Sequence, residues 1–181
     1  MSTFHPFPVL ETKNLWLRRM APEDTGDIFQ MRKDPRMIEF TDSKLDMRPE
    51  ETNSYIEKMN KGVDEGRWII WAIEHKPSKK VIGSISIWNM DIEQVNAELG
   101  YGIIPEYQNR GFMKEALLRV VDYGFDVMNL KALDAYTEDK NINSIKLLES
   151  CNFVEVNRVD DVGCYSDKIY HMTVFQIKKL R

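Results

Sequence analysis

The sequence predicts a mixed α/β domain: a largely antiparallel sheet of about seven strands with helices on both faces. Three observations carry the prediction. Residues 67–74 and 81–88 are apolar runs separated by the turn Lys76-Pro77-Ser78-Lys79, which reads as an antiparallel hairpin. Residues 96–104 read as a strand and lead, across a short polar turn, into an amphipathic helix over 113–128. Residues 153–159 and 168–177 alternate apolar and polar side chains and close the chain as a second antiparallel pair.

The length of 181 residues suits a single domain, with its core over 10–178. An apolar fraction of 43% and a charged fraction of 30% suit a sizeable core under a well-solvated surface. The net charge is -4, from 25 basic and 29 acidic side chains. That balance argues against a general nucleic-acid binder, whose footprint is a basic stripe. Cys151 and Cys164 make no disulfide framework, so a reducing cytoplasm is expected. No run approaches the roughly 20 apolar residues that span a bilayer. Residues 1–6 carry no secretory pattern, so neither membrane nor export is expected. There is no internal repeat and no low-complexity segment.

Taken in order, residues 14–19 alternate Leu15 and Leu17 against Trp16 and Arg18, as a strand does. Pro22-Glu23-Asp24 opens a first helix with acids where the helix dipole favours them. Ile28, Phe29 and Met31 form its inner side. Asp34-Pro35 stops it, because a residue before proline leaves helical geometry. Residues 36–48 mix polar side chains with Met37, Ile38, Phe40, Leu45 and Met47. They read as a loop or broken helix, either a packed surface loop or the lining of a substrate site. Pro49-Glu50-Glu51-Thr52 starts a second helix through Tyr55, Ile56 and Met59 to Gly62. The strand over 67–74 is apolar on both faces, which suits a central position covered on both sides. Residues 90–95 are a polar connection. In the helix over 113–128, Met113, Ala116, Leu117, Val120, Gly124, Val127 and Met128 share one stripe. Lys114, Glu115, Arg119 and Asp122 lie off that stripe, in water. Residues 131–137 form a strand, and residues 141–151 a short helix with Ile145, Leu148 and Cys151 inward.

The turn Gln108-Asn109-Arg110-Gly111 carries the chemistry. The first backbone N–H groups of a helix have no partner within it and lie at its positive end. An anion set on them satisfies several donors together. Gly111 has no Cβ to hold an anion off, and Arg110 adds a positive charge. An ordinary strand-to-helix loop has the same ingredients.

Gln108-Asn109-Arg110-Gly111-Phe112-Met113 resembles the pyrophosphate loop, Gln/Arg-x-x-Gly-x-Gly/Ala, of the GNAT superfamily of acyl-CoA-dependent N-acetyltransferases. Met113 stands where a small residue is usual, so its side chain must point away from the phosphates. The loop is not a dinucleotide fingerprint, because the Gly-x-Gly-x-x-Gly spacing is missing. Downstream, Asn141 and Ser144, then Leu148 and Asn152-Phe153, resemble the family segment Asn-x-x-Ser…Leu-x-x-x-Gly-Phe. Asparagine at 152 suits the left-handed stop of a helix nearly as well as glycine. The segments Leu15-Trp16-Leu17-Arg18 and Glu98-Leu99-Gly100-Tyr101 narrow the resemblance to the RimJ/RimL-like branch, which contains the ribosomal-protein N-terminal acetyltransferases. The order of elements extends it over residues 10–178, with a splayed strand pair that binds acyl-CoA.

The resemblance implies acetyl-CoA as co-substrate, direct attack of a primary amine on the thioester, no metal, and a homodimer. It sets the coenzyme on Gln108, Asn109, Arg110, Gly111, Phe112 and Met113, with Ile103, Ile104, Asn141 and Ser144 along its arm. Glu98 is the expected base, directly or through water; the plainer reading is a strand-edge charge or ion pair. A backbone N–H near Ile103 is the expected oxyanion donor. The family often puts a tyrosine acid where this chain has Leu148. Ser144 is the expected replacement, with Tyr136, Cys151 and His171 as alternatives. Asn141 and Ser144 equally suit a helix cap. His5, His75 and His171 lack metal-ligand spacing. The acceptor is expected to be a protein N-terminus or a small-molecule amine. Asp42, Asp46, Glu50 and Glu51 either attract a cationic amine or are solvated helix-start charges. Two other readings compete: a non-catalytic acyl-CoA-binding sensor or scaffold, and an unrelated α/β phosphate binder.

Overall fold

The computed structural model describes residues 4–180 apart from 92 and 94. Its elements run β1 (Leu10–Glu11), β2 (Leu15–Arg18), α1 (Thr25–Arg32), α2 (Pro49–Asp64), β3 (Ile69–His75), β4 (Lys80–Asp91) and β5 (Asn96–Ile103). Then follow α3 (Phe112–Asp126), β6 (Ala132–Glu138), α4 (Ile142–Ser150), β7 (Val154–Val162) and β8 (Ile169–Lys178). The strands form one sheet of eight, in the order β1-β2-β3-β4-β5-β6-β8-β7. The eighth strand, beyond the seven expected, is β1, whose two residues are too few to show a period.

All neighbouring strands are antiparallel except β5 and β6. The β3–β4 hairpin forms as the apolar runs and their turn predict, and the β7–β8 pair forms antiparallel as expected. Strand β3 is central: Ile69, Ile70, Trp71, Ala72 and Ile73 are all buried. Residues of odd number on β3 and β4 face α3. Trp71 meets Tyr123 edge to face at 5.4 Å, and a Cβ on Gly124 would lie 3.4 Å from Ile87. The opposite face is covered by α1 and α2, which pack on β4 and β3.

Several local readings are corrected. Helix α3 stops at Asp126, so Val127 leaves the apolar stripe and is 61% exposed. Glu115 is not in water, because its carboxylate accepts from the Asn14 backbone N–H at 2.7 Å and from its amide at 2.8 Å. Asp24 is buried and takes both Arg18 NH groups at 2.8 Å, so it is a core ion pair rather than a dipole charge. Phe29 is only half-buried. The connection expected over 90–95 is shorter: β4 runs to Asp91 and β5 begins at Asn96, with residues 92 and 94 outside the described residues.

Residues 36–48 begin with a single 3-10 turn (Pro35–Ile38) and continue without regular structure. Their acids hold structure. Asp46 is buried between Arg32, at 2.6 and 2.9 Å, and the Thr52 hydroxyl. Glu51 caps α2 by accepting from the Met47 and Arg48 N–H groups. Asp42 accepts from the backbone N–H groups of Cys164 and Tyr165, tying this loop to the β7–β8 turn. Cys151 is buried and Cys164 exposed, and both are free thiols.

Candidate active site

The site begins where two strands part. Strands β5 and β6 pair in parallel from Asn96↔Ala132 to Leu99↔Ala135 and no further, although β5 continues to Ile103 and β6 to Glu138. Beyond Leu99, β5 stays paired with β4, and the Ile104 N–H donates to Ile82 O at 2.9 Å. An antiparallel ladder directs alternate residues to opposite sides. The main-chain groups of Tyr101 and Ile103 therefore face the edge that β6 has left.

A cavity of about 1110 Å³ fills the gap. One wall is the start of α3. Asn109 (φ 57°) and Gly111 (φ 83°) are both left-handed, and Gly111 is the N-cap, with no side chain capping the helix. A left-handed turn costs a side-chain-bearing residue about 1–2 kcal/mol, which explains glycine at 111. The space where its Cβ would stand is empty to 4 Å. Met113 is buried, in the core and at the edge of this opening. Gln108 turns inward and donates from Nε2 to Ile103 O at 3.1 Å. The Arg110 guanidinium lies 5.1 Å from the ring centres of Tyr107 and Phe112. Stacked there, it holds the loop and keeps its charge at the surface.

The facing wall is α4. Asn141 caps it, its Oδ1 accepting from the Ser144 N–H at 3.1 Å. Asn152 ends the segment with φ 66°, the left-handed stop expected there. The Ser144 hydroxyl lies 2.8 Å from that of Tyr101. This bond spans the splay from β5 to α4. Burial pushes the Tyr101 phenol up to about 12, while the Ser144 bond pulls it down, so it is a neutral donor at ordinary pH.

Of the expected site residues, Glu98, Ile103, Gln108, Asn109, Gly111, Phe112, Met113, Asn141 and Ser144 line the cavity. Ile104 and Arg110 lie outside its lining. Glu98 is half-buried, and its Oε1 accepts from the Asn89 amide at 2.5 Å. Tyr136 stands beside it, 44% exposed; burial first, then the charges of Glu98 and Asp134, raise its phenol above the usual range. Cys151 sits behind the site, where burial raises its thiol. A buried thiol so raised is inert. His171 lies outside the lining and pairs with Asp160 at 2.7 Å. Sequence reasoning missed Tyr101, whose alternation with Leu99 and Ile103 is the signal that aims it into the gap.

Charged groups of both signs line the cavity. Lys114, in the first turn of α3, and Lys146, on α4, line it, and Arg36 adds a third cation. Glu98, Asp160 and Asp161 line it from β5 and β7. Met37 and Phe40, from the loop after α1, complete the lining. The cations suit a phosphorylated, extended ligand; the carboxylates suit a cation.

Residues 14–154 match the family model described as Acetyltransferase (GNAT) domain. The Bacillus subtilis protein named "Uncharacterized N-acetyltransferase YoaA" is 30% identical over 175 residues, covering 97% of this chain and 99% of that protein. Ribosomal-protein-S5-alanine acetyltransferase from Vibrio fischeri has a similar structure, with a TM-score of 0.78 at 20% identity over 92% of this chain and 95% of that one. So does spermidine N-acetyltransferase from Vibrio cholerae in complex with CoA and spermine, with a TM-score of 0.78 at 21% identity over 92% and 96% of the two chains.

Proposed function

The chain belongs to the GNAT acetyltransferase family, and from that premise we propose that it transfers an acetyl group from acetyl-CoA to a primary amine by direct attack on the thioester. One observation carries the reading: the strand splay opens beside a helix N-terminus that no side chain caps.

The N–H groups at the start of α3 bind the pyrophosphate, helped by the dipole and by Lys114 and Lys146. Asn141 and Ser144 flank the pantetheine arm from α4. Bound there, acetyl-CoA supplies an acetyl group already activated as a thioester. The Ile103 N–H, turned to the open edge, stabilises negative charge developing on the carbonyl oxygen. Glu98 takes the proton that the incoming ammonium must lose before its nitrogen has a lone pair. As the new N–C bond forms and the C–S bond breaks, Ser144, held by Tyr101, gives its hydroxyl proton to the leaving sulfur and regains one from the nitrogen, which has one more proton to lose on becoming an amide.

The reading includes a cytoplasmic homodimer. The outer strand β7 supports a second copy, since it exposes Val154, Val156 and Val162. Among the described residues, no helix is long and apolar enough to cross a membrane. The test is free-thiol release from acetyl-CoA with a panel of amines and peptides, read together with the acetylated product's mass. Glu98→Gln is expected to lower turnover by about 10²–10⁴-fold and to flatten the acid limb of the pH–rate profile. A wild-type profile in that variant would remove Glu98 from the base role. Coenzyme binding with no amine acetylated would favour a sensor or scaffold.

A further inference from the structure

A second hollow, of about 380 Å³, adjoins the main cavity and shares Trp88, Gly100, Tyr101 and Gly102 with it. It lies on the α2 side of the sheet. Its floor comes from five residues in register across β3, β4 and β5: Ile70–Ser86–Gly100 and, one row on, Ser84–Gly102. Four of these five, all on β4 and β5, have side chains no larger than serine's, so the sheet is left thin there. The walls are large and mostly apolar: Tyr55 and Met59 from α2, Trp68, and Trp88. Both glycines are closely approached by their neighbours, so neither position has room for a larger side chain without a shift. A Cβ on Gly100 would stand 2.9 Å from Ser86 Oγ, and one on Gly102 would stand 3.4 Å from the Met37 methyl. Trp68 is held in the wall by its indole N–H, which donates to Met59 O at 3.1 Å.

The next cross-strand row is Trp88–Glu98. Side chains two apart on a strand share a face, so Glu98 lies on the same face as Gly100 and Gly102, one row beyond the hollow and in the lining of the cavity that adjoins it. An apolar chamber with a carboxylate one row beyond it recognises a particular shape: a cation attached to a compact apolar group.

We infer that the acceptor is a primary amine bearing a large apolar or aromatic group close to its nitrogen, with that group in this hollow and the nitrogen at Glu98. This rests on the acetyltransfer reading and names its substrate class. Two sources share the chemistry: a free arylalkylamine, and a peptide whose first residue has a large apolar side chain. A linear polyamine has charges where the hollow is apolar, so it cannot fill the site without leaving an ammonium unpaired.

The test measures kcat/KM with acetyl-CoA for phenethylamine and tryptamine, for peptides beginning with Phe or Met, for peptides beginning with Gly or Ser, and for spermidine. The apolar-bearing amines are expected to exceed the Gly- and Ser-starting peptides and spermidine by at least about tenfold, as filling a hydrophobic pocket allows. Which of the two apolar sets leads identifies the source. Equal rates, or a preference for spermidine, would overturn the inference while leaving acetyl transfer standing. Thiol release with none of these amines would remove the underlying reading as well. Ser86→Leu and the milder Ser84→Val should each narrow the preference by reducing the hollow, with coenzyme affinity by calorimetry as the check on folding. An unchanged preference in a variant that still binds coenzyme would also overturn the inference.

Discussion

In the proposed mechanism Ser144 and Tyr101 together take a role that the family resemblance expects at another position. The hydroxyl that relatives often supply from a tyrosine on the helix has no counterpart at Leu148, which is fully buried. A strand tyrosine and a helix serine instead meet at 2.8 Å across the splay. If Tyr101 donates to Ser144, the serine proton is free to point at the leaving sulfur. Tyr101→Phe and Ser144→Ala should then each lower kcat by about tenfold, the size of one hydrogen bond. The double variant should lose little more than the worse single one, because both remove the same unit. Losses that multiply would mean that the two hydroxyls act independently. A phenol held at about 12 also predicts that Tyr101 contributes no basic limb at neutral or mildly alkaline pH.

Helix α3 is fastened at the end where phosphate is proposed to bind. Burial raises the Glu115 carboxyl, but hydrogen bonds from Thr12 and Asn14 outweigh it, and the net value falls below the ordinary 4.5. A carboxyl lowered in the fold adds stability above its unfolded value and loses it as pH falls through the folded one. Wild type should therefore lose melting temperature more steeply than Glu115→Gln as pH drops below about 4.5. Parallel melting curves would show that this contact does not hold the helix. Such contacts mark what the sequence leaves hidden. The α3 stripe, the stop at Asn152 and the hairpins are periodic or local, so they were legible. Glu115 and Asp24 looked like solvated charges because their partners, Asn14 and Arg18, come from β2 and its approach. The hollow beside Glu98 was invisible for the same reason: Ser84, Ser86, Gly100 and Gly102 form one surface only when β4 and β5 are set in register. Tyr101 was readable from alternation alone, but its partner on α4 was not.

The molecule as a whole is a sheet split along one line, with helices on both faces and charged groups of both signs around the split. The groups proposed to hold phosphate, Lys114 and Lys146 among them, lie on α3 and α4, while Glu98, Asp160 and Asp161 lie on β5 and β7. A donor held by the first and an amine held by the second would meet at the open edge of β5. That arrangement depends on backbone at Gly111, where φ is 83° and no Cβ intrudes. The most direct measurement is calorimetric titration of coenzyme A into wild type and Gly111→Val. The account predicts one site per chain in wild type and affinity at least about 100-fold weaker in the variant, the loss of one or two charge-assisted hydrogen bonds. Equal affinity in the two proteins, or no binding by wild type, would contradict it.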